Sequence, residues 1–299
     1  ISAIQMKGGA MYSVNDNVSV FGNFGIVEKP PIMDNVIYYD GTVAQDPDNE
    51  KFQSMEFGLN YNSPKYAGKV SYYNTQWKDR NLTKSVTTGQ GSSGDTDVIF
   101  LTGVNQSHTG FEMEGSAQVI DMLRLDFAAS FGTWKFADDA KGNYQEYTDT
   151  GTKQTTYEYA LKDLWVGDMP QTGMVLGATL TPMDGLMAQL VVNKYDKNYA
   201  DWSPAAREVK GGTADREQVW QAPGYTKMDL HAYYNLPMQV AGTNLQVFFH
   251  AFNLGDAVYI QDAVDNSQYN AHDKDHDADD AEVFFGLPFR WNTGISINF

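Results

Sequence analysis

One acidic stretch near the end of the chain carries the side chains best suited to bind a metal ion. His272 and His276 stand four residues apart among five aspartates, which include Asp273 and Asp277. Imidazole with carboxylate suits a transition metal, whereas clustered carboxylates suit calcium. The spacing lacks the ordered glycine and terminal glutamate of a calcium loop. We therefore expect either a divalent cation bound by these four side chains or, as the pattern favours, a solvated acidic loop without metal.

A second set of side chains could contact an organic ligand. The chain has 18 Tyr and 6 Trp, and such rings stack on sugars or catechols. Tyr and Trp also form girdles where a membrane meets water, and the sequence favours this second interpretation. The candidate ligand contacts lie in the longer connections and are Tyr144, Tyr147, Tyr157, Tyr159, Trp165, Trp202 and Trp220.

Several classes of function are disfavoured by the sequence. There is no cysteine nucleophile and no GxSxG or HExxH motif, and nothing places two carboxylates as an acid–base pair. We therefore expect no enzyme and no cofactor beyond the loop-bound cation. The net charge of −17, from 38 acidic and 21 basic residues, would repel nucleic acid.

Apolar and polar residues alternate strictly along much of the chain. In the last stretch Trp291, Ile295 and Phe299 alternate with Asn292 and Ser296. Such alternation indicates a strand with one apolar and one polar face. About eleven segments show it, each close to the ~10 residues that cross a bilayer at a tilt. They span residues 1–13, 18–26, 52–62, 66–77, 98–118, 123–136, 172–181, 186–199, 225–236, 244–254 and 286–299.

The connections between these segments alternate between short and long. Successive connections in an up-and-down sheet leave from opposite rims, so the long ones, including 137–171 and 255–283, should lie at one rim. Outer-membrane barrels have this asymmetry between short turns and long loops. No apolar run approaches the ~18 residues of a membrane helix. The sequence therefore predicts an all-β fold, a transmembrane antiparallel up-and-down β-barrel.

Charged residues occupy the polar positions of the predicted strands. Arg or Lys facing lipid at the bilayer midplane costs ~2–4 kcal/mol, so these residues should line a wet or protein-filled lumen. A salt bridge without any ligand role is the alternative that the sequence favours for each of them. The set comprises Glu56, Lys69, Glu112, Glu114, Arg124, Asp126, Lys227, Asp229 and His231. On the other face of the same strand as His231 we expect Met228, Leu230, Ala232 and Tyr234.

Six stretches of sequence point to a family. They are HTGFEMEGSAQVIDMLRLDFAASFG, WVGDMPQTGMVLGATLTPMDGL, KNYADWSP, APGYTKMDLHAYY, HAFNLGDAVYIQDA and FGLPFRWNTGISINF. Together they resemble, in the same order, the C-terminal half of the barrel of a TonB-dependent outer-membrane receptor, particularly the Bacteroidetes type. GFEME is similar to the family's GVELE strand, and GDMP to its Gly-Asp-x-Pro strand entry. The resemblance covers most of the chain.

The resemblance implies the rest of the architecture. The family's barrel has 22 strands around a plug, so residues 1–299 are expected to be the C-terminal part of a single barrel domain, with the plug and the first half of the barrel not in this chain. An open sheet would leave two unpaired edges in lipid. The implied location is the cell outer membrane, with extracellular long loops and a periplasmic C-terminus. Phe299, at that terminus, is implied to be the signal read by the barrel-assembly machinery.

Three functions stay open at this point. The first is an importer of a scarce nutrient, such as a metal chelate or siderophore, a cofactor or an oligosaccharide. Its partners would be the TonB complex, through the plug, and outer-membrane lipids. The second is a structural or scaffolding barrel bound to an outer-membrane partner protein. The third is a soluble β-rich glycan-binding protein.

Overall fold

A computed structural model describes residues 2–31, 33, 36–37, 48–88, 95–148, 151–240 and 243–298. Strands dominate it, because the alternating segments rich in β-branched and aromatic residues favour extended backbone. In chain order they are β1 (Gln5–Ser13), β2 (Val18–Lys29), β3 (Glu50–Asn62), β4 (Tyr66–Thr88), β5 (Asp95–Ile120), β6 (Leu123–Phe136), β7 (Ala140–Thr148), β8 (Gly151–Tyr159), β9 (Thr172–Met183), β10 (Leu186–Asp196), β11 (Asn198–Tyr199), β12 (Gln221–Ala222), β13 (Tyr225–Val240), β14 (Thr243–Phe252), β15 (Ile260–Asp265), β16 (Ala281–Phe285) and β17 (Arg290–Asn298).

Eleven of these strands form one antiparallel main sheet. Their order is β1-β2-β3-β4-β5-β6-β9-β10-β13-β14-β17, so each strand pairs with its neighbour along the chain once the loop strands are set aside. This arrangement confirms the predicted fold class and the predicted number of strands. Within the described residues, β1 and β17 form the two edges of the sheet.

The two rims of the main sheet differ as predicted. Each short turn lies at one rim, which we call the turn rim. The longer connections, including 137–171 and 253–289, leave from the opposite rim, which we call the loop rim. The register places Asn298 beside Asn244 at the turn rim. The paired residues that flank the short turns are Ser13 and Ser19, Asn62 and Ala67, Ile120 and Leu123, Met183 and Leu186, and Val240 and Thr243.

The main sheet has one polar and one apolar face. Register pairs put Glu56 opposite Tyr73, Lys69 opposite Glu114, and His231 opposite His250, so all of these side chains share a face. Every charged residue predicted to face the lumen belongs to this polar face. The apolar face leaves large side chains exposed, among them Phe57, Leu176 and Ile295, which are 57%, 53% and 66% exposed. Such a surface suits lipid rather than water.

The strands extend further at the loop rim than the sequence analysis predicted. Segment 78–97 lies between the predicted strands 66–77 and 98–118, yet β4 continues to Thr88 and β5 begins at Asp95. The run of Thr and Val residues in 82–88 supplies the β-branched side chains that favour a strand. The expected loop 137–171 also contains β7 and β8, and β7 pairs with the extension of β5.

Local irregularities mark the ends of the strands. Gly185 closes the turn between β9 and β10 with a φ of +80°, a conformation that glycine adopts without steric cost. Pro237 lies between Asn235 and Gln239, where the register of β13 and β14 shifts. Phe299, the expected assembly signal, lies outside the described residues.

The buried apolar core lies among the longer connections at the loop rim. The folded parts of segments 137–171, 197–224 and 253–289 form a layer there, which we call the loop layer. Its described residues include one α-helix, α1 (Pro204–Arg207), and one 3₁₀ helix, Ser267–Tyr269. Its core is fully shielded from solvent and comprises Leu101, Val104, Phe136, Ala140, Tyr159, Leu161, Leu164, Tyr199, Trp202 and Val219. No helix within the described ranges is long and apolar enough to cross a membrane.

Candidate ligand-binding surface

Ion pairs organise the polar face near the turn rim. The Lys69 Nζ atom lies 3.0 Å from Glu56 Oε1, and Asn23 Nδ2 donates to Glu56 Oε2 at 3.0 Å. On β6, Arg124 donates to Asp126 Oδ1 at 2.7 Å. These pairs satisfy charges that would otherwise be costly away from bulk water. They fit the interpretation that most charges on this face are structural salt bridges.

A cavity of about 770 Å³ lies along this part of the polar face. Its volume falls within the range of small-molecule sites. Charged and polar side chains that line it come from β4, β5, β6, β9 and β10, and they include Lys69, Glu114, Arg124, Asp126, Thr179 and Gln189. Adjacent strands bring these residues together only because their register places them on the same face.

Aromatic residues cover the polar face closer to the loop rim. The Trp134 Nε1 atom donates to the Tyr73 hydroxyl at 2.8 Å, and the ring centroids of His108 and Trp134 are 5.4 Å apart. Two glycines facing each other in register make room for this pair. A Cβ atom on Gly110 would lie 2.6 Å from the Tyr73 hydroxyl, and one on Gly132 would lie 2.8 Å from Trp134 Nε1. Side chains larger than hydrogen would therefore displace the two rings.

A half-buried cation sits beside these rings. The Arg80 guanidinium lies 4.1 Å from the centre of the Trp77 ring, and its Nη1 atom donates to Gln106 Oε1 at 3.1 Å. Phe52 also packs against Trp77, with ring centroids 4.5 Å apart. Sequence analysis did not single out Arg80, Tyr73 or Trp134. The alternation of β4 and β6 would have placed the two rings on the polar face.

Gln171 fixes Trp134 beneath the loop layer. It is 1% exposed, its Oε1 atom accepts from the Trp134 backbone N–H at 2.8 Å, and its Nε2 atom donates to the Trp134 carbonyl at 3.1 Å. A neutral amide that pairs with both backbone groups of one residue holds that residue in register without adding charge. The aromatic part of the polar face is therefore rigid and lies directly under the loops.

The loop layer contains most of the predicted aromatic ligand contacts, and it buries two of them. Tyr159 is 1% and Trp202 2% exposed, with ring centroids 5.8 Å apart. Trp165 is half-buried and stacks on Tyr199 at 5.0 Å. These rings hold the loop core together. Tyr157 packs against that core, and Trp220 is partly exposed. The side chains of Tyr144 and Tyr147 lie outside the described part of the chain, and the ligand role of the set stays a prediction.

A buried ionic cluster ties two of the long loops together. The His276 Nδ1 atom lies 2.9 Å from Asp265 Oδ2, and its Nε2 atom lies 3.1 Å from Asp215 Oδ2. Arg207, which is fully buried, lies 3.3 Å from Asp215 and 4.0 Å from Asp265. His276 has a φ of +58°, unusual for a residue with a Cβ atom. Its backbone N–H donates to Asp280 Oδ2 at 2.8 Å, which fixes this turn.

The ionic cluster shifts the pKa values of its members. Burial opposes a charge on His276, but hydrogen bonds to Asp265 and Asp215 outweigh it and raise the His276 pKa above its ordinary value of 6.5. Burial likewise opposes ionisation of the two carboxyls, yet hydrogen bonds from His276 and nearby backbone N–H groups lower the pKa of both Asp265 and Asp215. The three groups therefore favour their charged forms together.

We expect the loop layer to loosen as the pH rises. Because folding raises the pKa of His276, the stability that its protonated ring gives the loop layer is fully present below pH 6.5, its ordinary pKa. This stability is lost as the pH rises through the pKa of His276 in the folded protein. Proteolytic nicking within 253–289 should therefore become faster as the pH rises from 6.5 through the raised pKa of His276. The variant His276→Gln should nick at a rate that varies little across this range. An equal alkaline acceleration in that variant would contradict the assignment to His276.

The side chains of the acidic stretch 272–280 point to different surroundings in the structure. His276 turns into the buried ionic cluster, whereas His272, Asp273 and Asp277 are exposed. Carboxylate oxygens of three aspartates lie within 4.8 Å of one another, and these residues are Asp273, Asp275 and Asp279. The expected set of four metal ligands is thus not gathered at one point in this conformation. Binding of a divalent cation by the loop stays a prediction.

Comparisons with known proteins agree with this architecture. Residues 3–254 match the family model described as TonB dependent receptor-like, beta-barrel. No curated protein matches the chain by sequence. Among solved structures, the copper transporter OprC superposes with a TM-score of 0.62 at 16% identity, over 96% of this chain and 38% of that one.

Two further structures are similar. The ferric-catecholate import receptor Fiu from Escherichia coli K12 has a TM-score of 0.59 at 14% identity, over 97% of this chain and 34% of that one. The ferric yersiniabactin uptake receptor FyuA from Yersinia pestis has a TM-score of 0.56 at 16% identity, over 97% and 36%. The chain thus spans between a third and two fifths of the length of these relatives.

The family match and the fold agree on the class of protein. An outer-membrane barrel wall has a polar and an apolar face, an up-and-down strand order and one rim of long loops. The eleven-stranded main sheet has all of these features. Such barrels act as receptors and transporters, in line with the expectation that the chain is not an enzyme. This chain belongs to the TonB-dependent receptor family, as part of its outer-membrane β-barrel.

Proposed function

We propose that this chain forms part of an import receptor that takes up a metal chelate across the outer membrane. The observation that carries the proposal is the rigid aromatic surface of Tyr73, Trp77 and Trp134, which lies on the polar face directly under the loop layer. Aromatic rings of this kind stack on the planar groups that many chelators carry. Two of the similar structures are named as ferric-chelate receptors.

The proposal includes an orientation and a set of partners. The loop rim would face the cell exterior and the turn rim the periplasm, as in other barrels with short periplasmic turns. The polar face would enclose a plug domain, and that plug would contact the TonB complex. On this account residues 1–299 are the C-terminal part of one barrel domain. Closure with further strands would satisfy the free edges of β1 and β17 in lipid.

Uptake measurements test the proposed transport. Cells that carry the full receptor should accumulate a labelled ferric chelate, and a protonophore that collapses the membrane potential should stop this accumulation. Deletion of the gene should abolish the same uptake. Catecholate, hydroxamate, cobalamin-type and oligosaccharide substrates are compared side by side. If deletion leaves every uptake unchanged but dissociates an outer-membrane complex, the scaffolding function is correct instead.

Trp134→Ala should weaken binding of the transported chelate roughly twofold to tenfold, because a lost aromatic contact costs about 0.5–1.5 kcal/mol. Trp134→Phe should retain most of the affinity. The matched control is Trp291→Ala on β17, because Trp291 is 60% exposed and belongs to the apolar face. Titration of the purified full receptor measures both variants. Equal losses at Trp134 and Trp291 would contradict a binding role for the polar face.

A further inference from the structure

Two histidines on neighbouring strands meet on the polar face. His231 of β13 and His250 of β14 are direct register partners. Their Nδ1 atoms lie 2.9 Å apart, and the ring planes are inclined by 62°. Neither ring is fully buried. Both imidazoles therefore reach the same point above the sheet and remain accessible from the polar side.

The separation of the two nitrogens matches a chelating pair. Imidazole nitrogen binds divalent transition metals at ~2.0–2.1 Å, so two such bonds at a right angle hold their nitrogens ~2.9 Å apart. A tetrahedral angle would require a wider separation of roughly 3.3 Å. Right angles between ligands are typical of the tetragonal sites that bind Cu²⁺ or Ni²⁺. The pair therefore has the spacing of two adjacent ligands in such a site.

The surroundings hold the rings in place. Phe252 contacts both imidazoles, with centroid distances of 5.6 Å to His231 and 6.1 Å to His250. Tyr233 packs on His250 edge-on at 5.2 Å. Packing against rigid aromatic neighbours limits rotation about the side-chain bonds, so little freedom remains to be lost when a metal binds. The two imidazole rings are therefore held in place before a metal ion binds.

Polar neighbours flank the pair along the same row of the sheet. Gln189 of β10 is the register partner of His231, and Asn292 of β17 is the register partner of His250. Gln189 donates Nε2–H to Thr179 Oγ1 at 3.1 Å. Carboxamide oxygens and water are acceptable further ligands for a divalent ion. One such oxygen is available on each side of the histidines.

We propose that His231 and His250 form a binding site for a divalent transition metal, best suited to Cu²⁺ or Ni²⁺, on the polar face of the barrel. Without metal, one Nδ1–H donates a hydrogen bond to the other Nδ1 atom. On binding, the donor ring changes tautomer: water takes the proton from Nδ1 and returns one to Nε2, so both rings stay neutral. Both Nδ1 lone pairs then coordinate the ion, and water with the flanking carboxamides completes the coordination. The site is independent of which chelate the receptor transports, and of whether it transports one.

Metal titration of the purified full receptor tests the site. We expect Cu²⁺ to bind at the histidine pair, and His231→Ala or His250→Ala to weaken binding at this site at least about tenfold, the range in which even supporting residues of metal sites act. The matched control is His272→Ala, because His272 is exposed in the acidic loop. A second control, Asp273→Asn with Asp279→Asn, removes the acidic group of that loop and should leave this binding unchanged.

Spectroscopy gives an independent readout that folding defects cannot imitate. The electron paramagnetic resonance spectrum of the Cu²⁺ complex should show coupling to two imidazole nitrogens in the unmodified receptor and to one in either single variant. If an alanine variant fails to fold, His231→Gln and His250→Gln replace it. Unchanged Cu²⁺ affinity in both histidine variants, or loss of binding only in the loop variants, would overturn the proposal.

Discussion

Replacing Arg207 by alanine is expected to unfold much of the loop layer while the barrel stays intact. Arg207 is fully buried and faces the carboxylates of Asp215 and Asp265. Removing one partner of a buried ionic cluster leaves an uncompensated charge and costs about 3–5 kcal/mol. His276 offsets part of that charge only where it is protonated, so the loss should be largest at alkaline pH.

Limited proteolysis combined with heat-modifiability on gels separates these two effects. Arg207→Ala should be nicked quickly in segments 197–224 and 253–289, and it should still migrate as a folded barrel. The matched control is Arg216→Ala, which removes a bidentate pair with Asp139 that is half-exposed at the surface. That variant should be nicked little faster than the unmodified protein. Equal sensitivity of the two variants would show that burial of the cluster does not matter.

The second large effect concerns the two faces of a single strand. Leu176 and Val175 are adjacent on β9, with Leu176 on the apolar face and Val175 on the polar face beside the cavity. Leu176→Arg should lower the free energy of unfolding by about 2–4 kcal/mol, because it places a cation in lipid. Val175→Arg should fold well, because its side chain enters the polar interior.

The folded fraction in outer membranes measures this contrast. Both variants introduce the same arginine side chain one residue apart, so expression and export affect them alike. A one-residue error in the register would reverse the two results. Equal loss of folded protein at both positions would indicate that β9 is buried on both sides and does not face lipid.

Sequence periodicity predicted the main sheet because successive residues of a strand point to opposite faces, so the face of each residue follows from its neighbours in sequence. Alternation alone assigned Glu56, Lys69 and Asp229 to one face, and the register of the main-sheet strands from β3 to β13 then confirmed it. The period of two leaves only two choices for each strand, and lipid exposure of a charge excludes one of them.

The loop layer could not be predicted in the same way, because its contacts join distant segments. Tyr159 and Trp202 pack together across more than forty residues, and no local pattern distinguishes a loop core from an aromatic girdle. His276 looked like one of four metal ligands because its neighbours in sequence are aspartates. Its actual partners, Asp265 and Asp215, are eleven and sixty-one residues away.

The candidate sites on the polar face were predictable only in part, unlike the main sheet, which was predicted, and the loop layer, which was not. The sequence placed His231 on this face but not beside His250, since that contact depends on the register of β13 and β14. Likewise the Tyr73 and Trp134 pair requires the facing glycines Gly110 and Gly132 on two strands. A site of this kind is predictable only when face and register are both known.

The most direct test of the account is a cysteine scan of β9 in outer-membrane vesicles. Residues 1–299 contain no cysteine. With any cysteine elsewhere in the full receptor replaced by serine, each introduced thiol is the sole target of a polar, membrane-impermeant maleimide. Single cysteines are placed at residues 173–180, in the full receptor. We predict labelling at the odd-numbered positions, which belong to the polar face, and protection at the even-numbered ones, which face lipid. Labelling at the even-numbered positions, or equal labelling along the whole strand, would contradict a barrel wall with this polar interior.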